Sequence, residues 1–159
     1  MDNISSCTCE YLLRMGENRT MLNEDTIDTM VRMAMDAIKN AYVEHTSLPV
    51  GACALTSDGT LYTGCSIDNA SPKAYCTAEE LAIYKAISDG KREFDAVAVI
   101  ADTEFPFVPA GTSLQLMSEF DVQDVVMANL EGDVEVVPLN DLFPSGIKIR
   151  QNHKMENQA

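Results

Sequence analysis

A glutamate in the first turn of a predicted helix is the side chain best placed to do chemistry in this sequence. The segment CTAEELAIYKAISDG, residues 76–90, has a polar start, an apolar face and a glycine at its end, which together predict a helix. Glu79 lies near its start, where a carboxyl group is able to act as a general acid or base. The helix dipole alone also favours an acid in the first turn, so a catalytic and a structural interpretation of Glu79 both stay open.

The starts of two predicted helices carry hydroxyl groups, which are weak metal ligands and weak nucleophiles. Thr77 begins the same helix as Glu79, and Ser113 lies at the start of a second predicted helix. Polar residues of this type commonly cap helix N-termini, so neither hydroxyl by itself indicates catalysis. Any chemistry here depends on the other residues that the fold brings to these two helix starts.

The five cysteines do not form an obvious metal site. Cys76 is the nearest thiol to the helix start, but one residue along a helix is about 100° of rotation, so its sulfur is expected to point elsewhere. Cys53 and Cys65 lie in predicted strands and are expected to be buried structural thiols. Cys7 and Cys9 form a short pair without further metal ligands nearby. An odd number of cysteines without a signal peptide predicts free thiols and a cytoplasmic location.

The composition argues against several classes of protein. Eleven basic residues against 25 acidic ones give a net charge of −14 in a chain of 159 residues. So acidic a surface repels phosphate backbones, and no nucleic-acid partner is expected. No apolar run approaches the roughly 20 residues that span a bilayer, so no membrane partner is expected either. The length predicts one globular domain with a core of its own.

Periodicity and turn residues predict a three-layer α-β-α domain with a mixed five-stranded sheet. The element order is α-β-β-α-β-α-β-β, with an N-terminal arm over 1–22, the domain over 23–149 and a polar, disordered tail over 150–159. The two helices that begin near Thr77 and Thr112 are expected to start side by side at one edge of the sheet, where α/β proteins bind ligands. The predicted elements are helices from residue 23, over 76–90 and over about 112–120, and strands over 50–56, 61–67, 94–101, 124–129 and 134–139.

The text SLPVGACALTSDGTLYTGCSIDNASPKAYCTAEE, residues 47–80, resembles the small homotetrameric cytidine deaminases, and the resemblance extends over residues 37–147. It implies the α/β fold predicted above and a homo-oligomer, either a dimer or a tetramer. In that family a zinc ion held by three thiolates, or by one histidine and two thiolates, activates water for attack on cytosine, and a glutamate shuttles protons. Glu79 falls on that glutamate.

The same resemblance places residues that cannot hold zinc at all three metal-ligand positions. Thr77, Ala110 and Ser113 fall on the first, second and third ligands. A threonine or serine hydroxyl does not ionise near neutral pH, and an alanine methyl group cannot coordinate a metal. The chain is therefore interpreted as a degenerate family member without its zinc ligands, and no cofactor is expected.

The substrate contacts implied by the resemblance are also altered. Ser66 and Asp68, in the text SIDN, fall on the family's ribose-binding asparagine and glutamate. Leu48 replaces an aromatic residue near the base, Ala78 is the retained neighbour of the glutamate, and Ile147 replaces a phenylalanine given by a neighbouring subunit. These changes do not favour cytidine as the ligand. A nucleoside or another small molecule is expected in the cleft.

Three functions remain open at this stage. The first is a pseudoenzyme that does not deaminate cytidine and is retained as an oligomer or a small-ligand binder. The alternative is a hydrolytic (deoxy)cytidine deaminase that converts cytidine to uridine and ammonia. Its metal site would be rearranged to use Cys76. Of the three functions, only this one requires zinc. The third is a metal-free reaction in the same cleft.

Overall fold

The computed structural model describes residues 22–148, which form a mixed five-stranded sheet between helices. A short 3-10 turn, Pro72–Ala74, precedes the second helix. The elements in chain order are α1 (Glu24–Ile38), β1 (Val50–Thr56), β2 (Leu61–Cys65), α2 (Ala78–Ser88), β3 (Phe94–Ala101), α3 (Gly111–Glu119), β4 (Asp124–Asn129), β5 (Val134–Pro138) and α4 (Leu139–Leu142).

The strand order is β2-β1-β3-β4-β5, and only β3 and β4 run parallel. A parallel pair needs a crossover, which α3 supplies on the way from β3 to β4. The predicted order of elements and the mixed sheet are both confirmed.

Two apolar layers cover the two faces of the sheet, which confirms the three-layer prediction. Met30 and Ala34 of α1 pack on one face against alternate residues of β3, including Ala98 and Ile100. The residues between them in β3 face α2 and α3 instead. Strand β3 is therefore buried on both sides, as its continuous apolar text FDAVAVIA predicted.

Close backbone approach explains the glycines of the first two strands, as predicted. A Cβ atom at Gly64 would lie 2.2 Å from the carbonyl oxygen of Ala78, and one at Gly51 would lie 1.9 Å from that of Ala34. Gly64 thus lets the first turn of α2 rest directly on β2.

Three predictions about local structure need correction or lie outside the structure. Strand β2 ends at Cys65, because Ile67 makes only isolated bridges to Tyr42 and Cys76 instead of a continuous ladder. Cys53 is buried as expected, whereas Cys65 is only partly buried because it lies at the end of an edge strand. The predicted arm, except Leu22, and the predicted tail lie outside the described residues. Within residues 22–148 no helix is long and apolar enough to cross a membrane.

Candidate ligand site at two helix N-termini

The starts of α2 and α3 meet through a hydrogen bond between two hydroxyl groups. Thr77 is the N-cap residue of α2, and Ser113 lies in the first turn of α3. Their Oγ1 and Oγ atoms are 3.0 Å apart, and both residues are buried. The structure therefore brings together the positions that the resemblance assigns to the first and third metal ligands, and the hydroxyls there satisfy each other.

A capping box closes the N-terminus of α2. The Thr77 Oγ1 atom accepts a hydrogen bond from the backbone N–H of Glu80 at 3.1 Å. In return, the backbone N–H of Thr77 donates to Oε2 of Glu80 at 3.1 Å. Glu80 therefore has a structural role that sequence reasoning missed, although the text TAEE carries the T-x-x-E signature of this motif.

The Thr77 hydroxyl is expected to stabilise the fold through these contacts. Thr77→Ala removes the helix cap and leaves the buried Ser113 hydroxyl without its partner, at an expected cost of about 1–2 kcal/mol in the free energy of unfolding. Thr77→Ser keeps the hydroxyl and is the matched control. Urea unfolding of the three proteins measures the effect, and equal midpoints for Thr77→Ala and Thr77→Ser would contradict the contribution of the cap.

Glu79 is deeply buried beside this hydroxyl pair, with 1% of its surface exposed. Burial raises its pKa, because it removes the carboxylate from water, and the negative charge of Glu80 acts in the same direction. Hydrogen bonds from its own backbone N–H and from the Thr77 hydroxyl offset only part of this increase. The environment thus favours a neutral carboxyl group, which is able to donate a hydrogen bond as well as accept one.

The second predicted ligand position offers no donor atom. Ala110 is the N-cap residue of α3, has extended backbone angles and makes no side-chain capping bond. Its methyl group is exposed, and its carbonyl oxygen accepts the backbone N–H of Leu114. Ala110 therefore serves only the backbone of the helix start.

Cys76 is turned away from the hydroxyl pair. It exchanges two backbone hydrogen bonds with Ile67 in an antiparallel bridge, and side chains alternate between the two sides of such a pair. The Cys76 side chain therefore lies on the side opposite to that of Thr77. Its Sγ atom makes a weak contact, 3.5 Å, with the Thr77 carbonyl oxygen, and burial raises the pKa of the thiol, which disfavours the metal-binding thiolate.

The described residues do not fit a zinc ion at this site. Zinc requires about three donors from deprotonated cysteine, neutral histidine or carboxylate. The site presents two alcohols and a methyl group, and residues 22–148 contain no group of three His, Cys, Asp or Glu side chains that could hold a metal.

The residues expected to bind a sugar are occupied in holding the backbone. The hydroxyl oxygen of Ser66 accepts the backbone N–H of Val50 at 3.1 Å. The Asp68 carboxylate accepts the backbone N–H groups of His45 and Thr46, both at 2.8 Å, and the Thr46 hydroxyl. Burial alone would raise the pKa of Asp68, but these hydrogen bonds outweigh burial and lower it. Asp68 thus remains a carboxylate with acceptor capacity for a further donor.

The remaining predicted contacts differ in their exposure. Ala78 is the first residue of α2 and is fully buried, and Leu48 is half-buried against the same apolar layer. Ile147 is 69% exposed, and its backbone N–H and C=O pair with the Gln115 side chain.

The arrangement is that of an α/β protein in which two helix N-termini meet beside a buried glutamate. The sequence pattern of the cytidine and deoxycytidylate deaminase zinc-binding region matches residues 24–129. The chain therefore belongs to the cytidine deaminase family.

Individual relatives agree with this assignment. The chain is 40% identical to a cytidine deaminase of Sporosarcina psychrophila over 120 residues, which are 74% of this chain and 88% of that one. It is 38% identical to a cytidine deaminase of Halalkalibacterium halodurans over 117 residues, 72% of this chain and 89% of the relative. The crystal structure of cytidine deaminase from Burkholderia pseudomallei superposes with a TM-score of 0.73 at 32% identity, covering 79% of this chain and all of that one.

Proposed function

We propose that this protein is a cytidine deaminase homologue that does not carry out zinc-dependent deamination and holds a nucleoside-sized ligand in the family cleft. The observation that supports the loss is the hydrogen bond between Thr77 and Ser113, since these two metal-ligand positions now satisfy each other. The capping box with Glu80 supports it further, because it gives α2 a stable start without a metal. The carboxyl group of Glu79 would then bind the ligand instead of moving protons to and from a metal-activated water.

Hydrolytic deamination of cytidine is the second candidate, and the likeness to known proteins supports it better than it supports the first. The relatives and the Burkholderia structure are all named cytidine deaminases, and Glu79 keeps the place of the family's proton shuttle. For this candidate the metal would have to be held by an unexpected donor set. The orientation and raised pKa of Cys76 weigh against that residue as the new donor.

Metal analysis and an ammonia assay separate the two candidates. The protein purified without chelators is expected to contain far less than one zinc ion per chain and to release no ammonia from cytidine or deoxycytidine. One zinc ion per chain together with turnover would establish the deaminase instead. In that case Cys76→Ala, compared with Cys65→Ala as a control, tests whether the Cys76 sulfur binds the metal.

The same proposal includes self-association. Large apolar side chains are exposed on several elements, among them Tyr84 of α2, Phe105 in the loop before α3, and Ile147. The resemblance to a homotetrameric family supports a homo-oligomer, in which such side chains would be covered by other copies of the chain. Light scattering coupled to size-exclusion chromatography is expected to give the mass of a dimer or tetramer, and the mass of a single chain would contradict it.

A further inference from the structure

Tyr75 lies at the entrance to α2, in a segment whose position is fixed by backbone hydrogen bonds. It follows the 3-10 turn Pro72–Ala74, and its N–H contacts the carbonyl oxygen of Pro72. The next residue, Cys76, exchanges hydrogen bonds of 2.9 and 3.0 Å with Ile67. The backbone at Tyr75 is therefore anchored on both sides.

The register of this bridge places Tyr75 with the candidate ligand site. In an antiparallel pair centred on Ile67 and Cys76, Asp68 lies opposite Tyr75, and residues that face each other project their side chains to the same side. Alternation along the chain sends Ile67 and Cys76 to the other side. The burial agrees, because Asp68 is buried whereas Ile67 is 38% exposed.

The Tyr75 side chain shares its side of the bridge with Asp68. Burial raises the Tyr75 pKa, and the acidic residues Glu79, Asp68 and Glu80 act in the same direction. The ring is half-buried. Among residues 22–148 the structure shows no hydrogen bond to its hydroxyl, which is able both to donate and to accept one.

Tyr75 also supplies a group that the site otherwise lacks. The Ser66 hydroxyl oxygen is engaged by the N–H of Val50, so its short side chain has little capacity to reach a ligand. A tyrosine on the same side of the bridge projects further, and its ring adds a flat apolar surface. The phenol therefore adds an aromatic hydroxyl on the side of the bridge that carries the Asp68 carboxylate.

We propose that Tyr75 is a ligand-contacting residue of this cleft, whose ring packs against a pyrimidine nucleoside while its hydroxyl bonds to it between Asp68 and Glu79. This inference rests on the proposed function, which places a nucleoside-sized ligand in the cleft. It adds a specific contact that is independent of whether a metal is bound.

Calorimetric titration with cytidine and with uridine tests the contact. Tyr75→Phe is expected to weaken binding about three- to tenfold, because it removes one hydrogen bond. Tyr75→Ala is expected to weaken it further, since it also removes the packed ring. Tyr84→Phe is the matched control, because Tyr84 is a half-exposed tyrosine further along α2, and it should bind as the unaltered protein does. Circular dichroism establishes that each variant is folded.

The binding results decide whether Tyr75 contacts the nucleoside. Unchanged affinity in both Tyr75 variants would overturn it, and so would tighter binding by Tyr75→Ala, which would mean that the ring covers the cleft against ligands. Absence of measurable binding of either nucleoside to the unaltered protein would also overturn it, but would leave the proposed loss of zinc and deamination standing. Conversely, zinc and ammonia release with weakened uridine binding by Tyr75→Phe would support the contact and overturn the proposed function.

Discussion

Replacing Thr77, Ala110 and Ser113 together by cysteine is expected to produce a chain that binds one zinc or cobalt ion, whereas the natural chain binds neither tightly. The three positions lie at two adjoining helix starts, and two of them are already 3.0 Å apart between hydroxyl oxygens. Thiols at these positions can lose their protons on binding a metal, which alcohols do not do near neutral pH. The change therefore adds the donors without requiring a different backbone.

The expected gain in metal affinity is large. Zinc bound by protein thiolates has an apparent binding free energy of about 10–16 kcal/mol, so the affinity of the triple variant should exceed that of the natural chain by roughly four orders of magnitude or more. Competition with a chromophoric zinc chelator measures the affinity. Cobalt gives an independent readout, because tetrahedral cobalt–thiolate centres absorb visible light. Deamination need not return with the metal, since Leu48 and Ser66 also differ from the family's substrate contacts.

A double variant, Thr77→Cys with Ser113→Cys, is the control for this gain. It leaves Ala110 in place and supplies only two sulfur donors, so it is expected to bind far more weakly than the triple variant. Adding Glu80→Arg removes the acidic member of the capping box and places a positive charge near the introduced thiolates. A triple variant that binds cobalt no better than the natural chain, with or without this fourth change, would contradict the account of the site.

The fold could be predicted from sequence because its main signals are local. Strand β3 is one unbroken apolar run, Asn23 caps α1 through its side chain as its residue type suggests, and Gly90 follows α2 with a φ of +87°. Where the signal was weaker, the prediction was less accurate. The end of β2 was placed two residues late, because Ile67 has the β-branched side chain of a strand residue but only isolated partners.

The candidate site could be predicted only in part, because its contacts join distant parts of the chain. The resemblance identified Thr77 and Ser113 as positions of interest, but their hydrogen bond spans 36 residues and depends on how α2 and α3 pack. The directions of the Tyr75 and Cys76 side chains follow from the bridge between Cys76 and Ile67, which no sequence pattern predicts. The capping box is the exception, because its four-residue signature is present in the text TAEE.

Glu79→Gln is expected to stabilise the protein at neutral and alkaline pH and to remove a pH dependence that the natural chain has. The folded state raises the pKa of Glu79 through burial, so it holds the proton more tightly than the unfolded chain does. The contribution of Glu79 to stability is then complete below the unfolded pKa and is lost as the pH rises through the folded pKa. Glutamine has nearly the same shape and carries no charge, so it avoids this loss.

Urea unfolding between pH 5 and pH 8 measures the difference. Ionising a carboxyl group in a buried site costs on the order of several kcal/mol, and the stability difference in favour of Glu79→Gln should grow towards pH 8 up to that size. Asp68→Asn is a control with the opposite sign. The folded state lowers the Asp68 pKa, so its contribution is present above the unfolded pKa and is lost as the pH falls through the folded pKa. That variant should therefore be the less stable one near neutral pH.

The Glu79 result also tests whether burial sets the protonation state of this side chain. A carboxyl group that stays protonated near neutral pH is able to donate a hydrogen bond to a ligand. If the natural chain and Glu79→Gln had parallel stability profiles from pH 5 to pH 8, the carboxyl group would ionise without cost, and its burial would not set its protonation state. A widening gap would instead establish that folding keeps the Glu79 proton in place, which a hydrogen-bond donor to a ligand and a general acid both require.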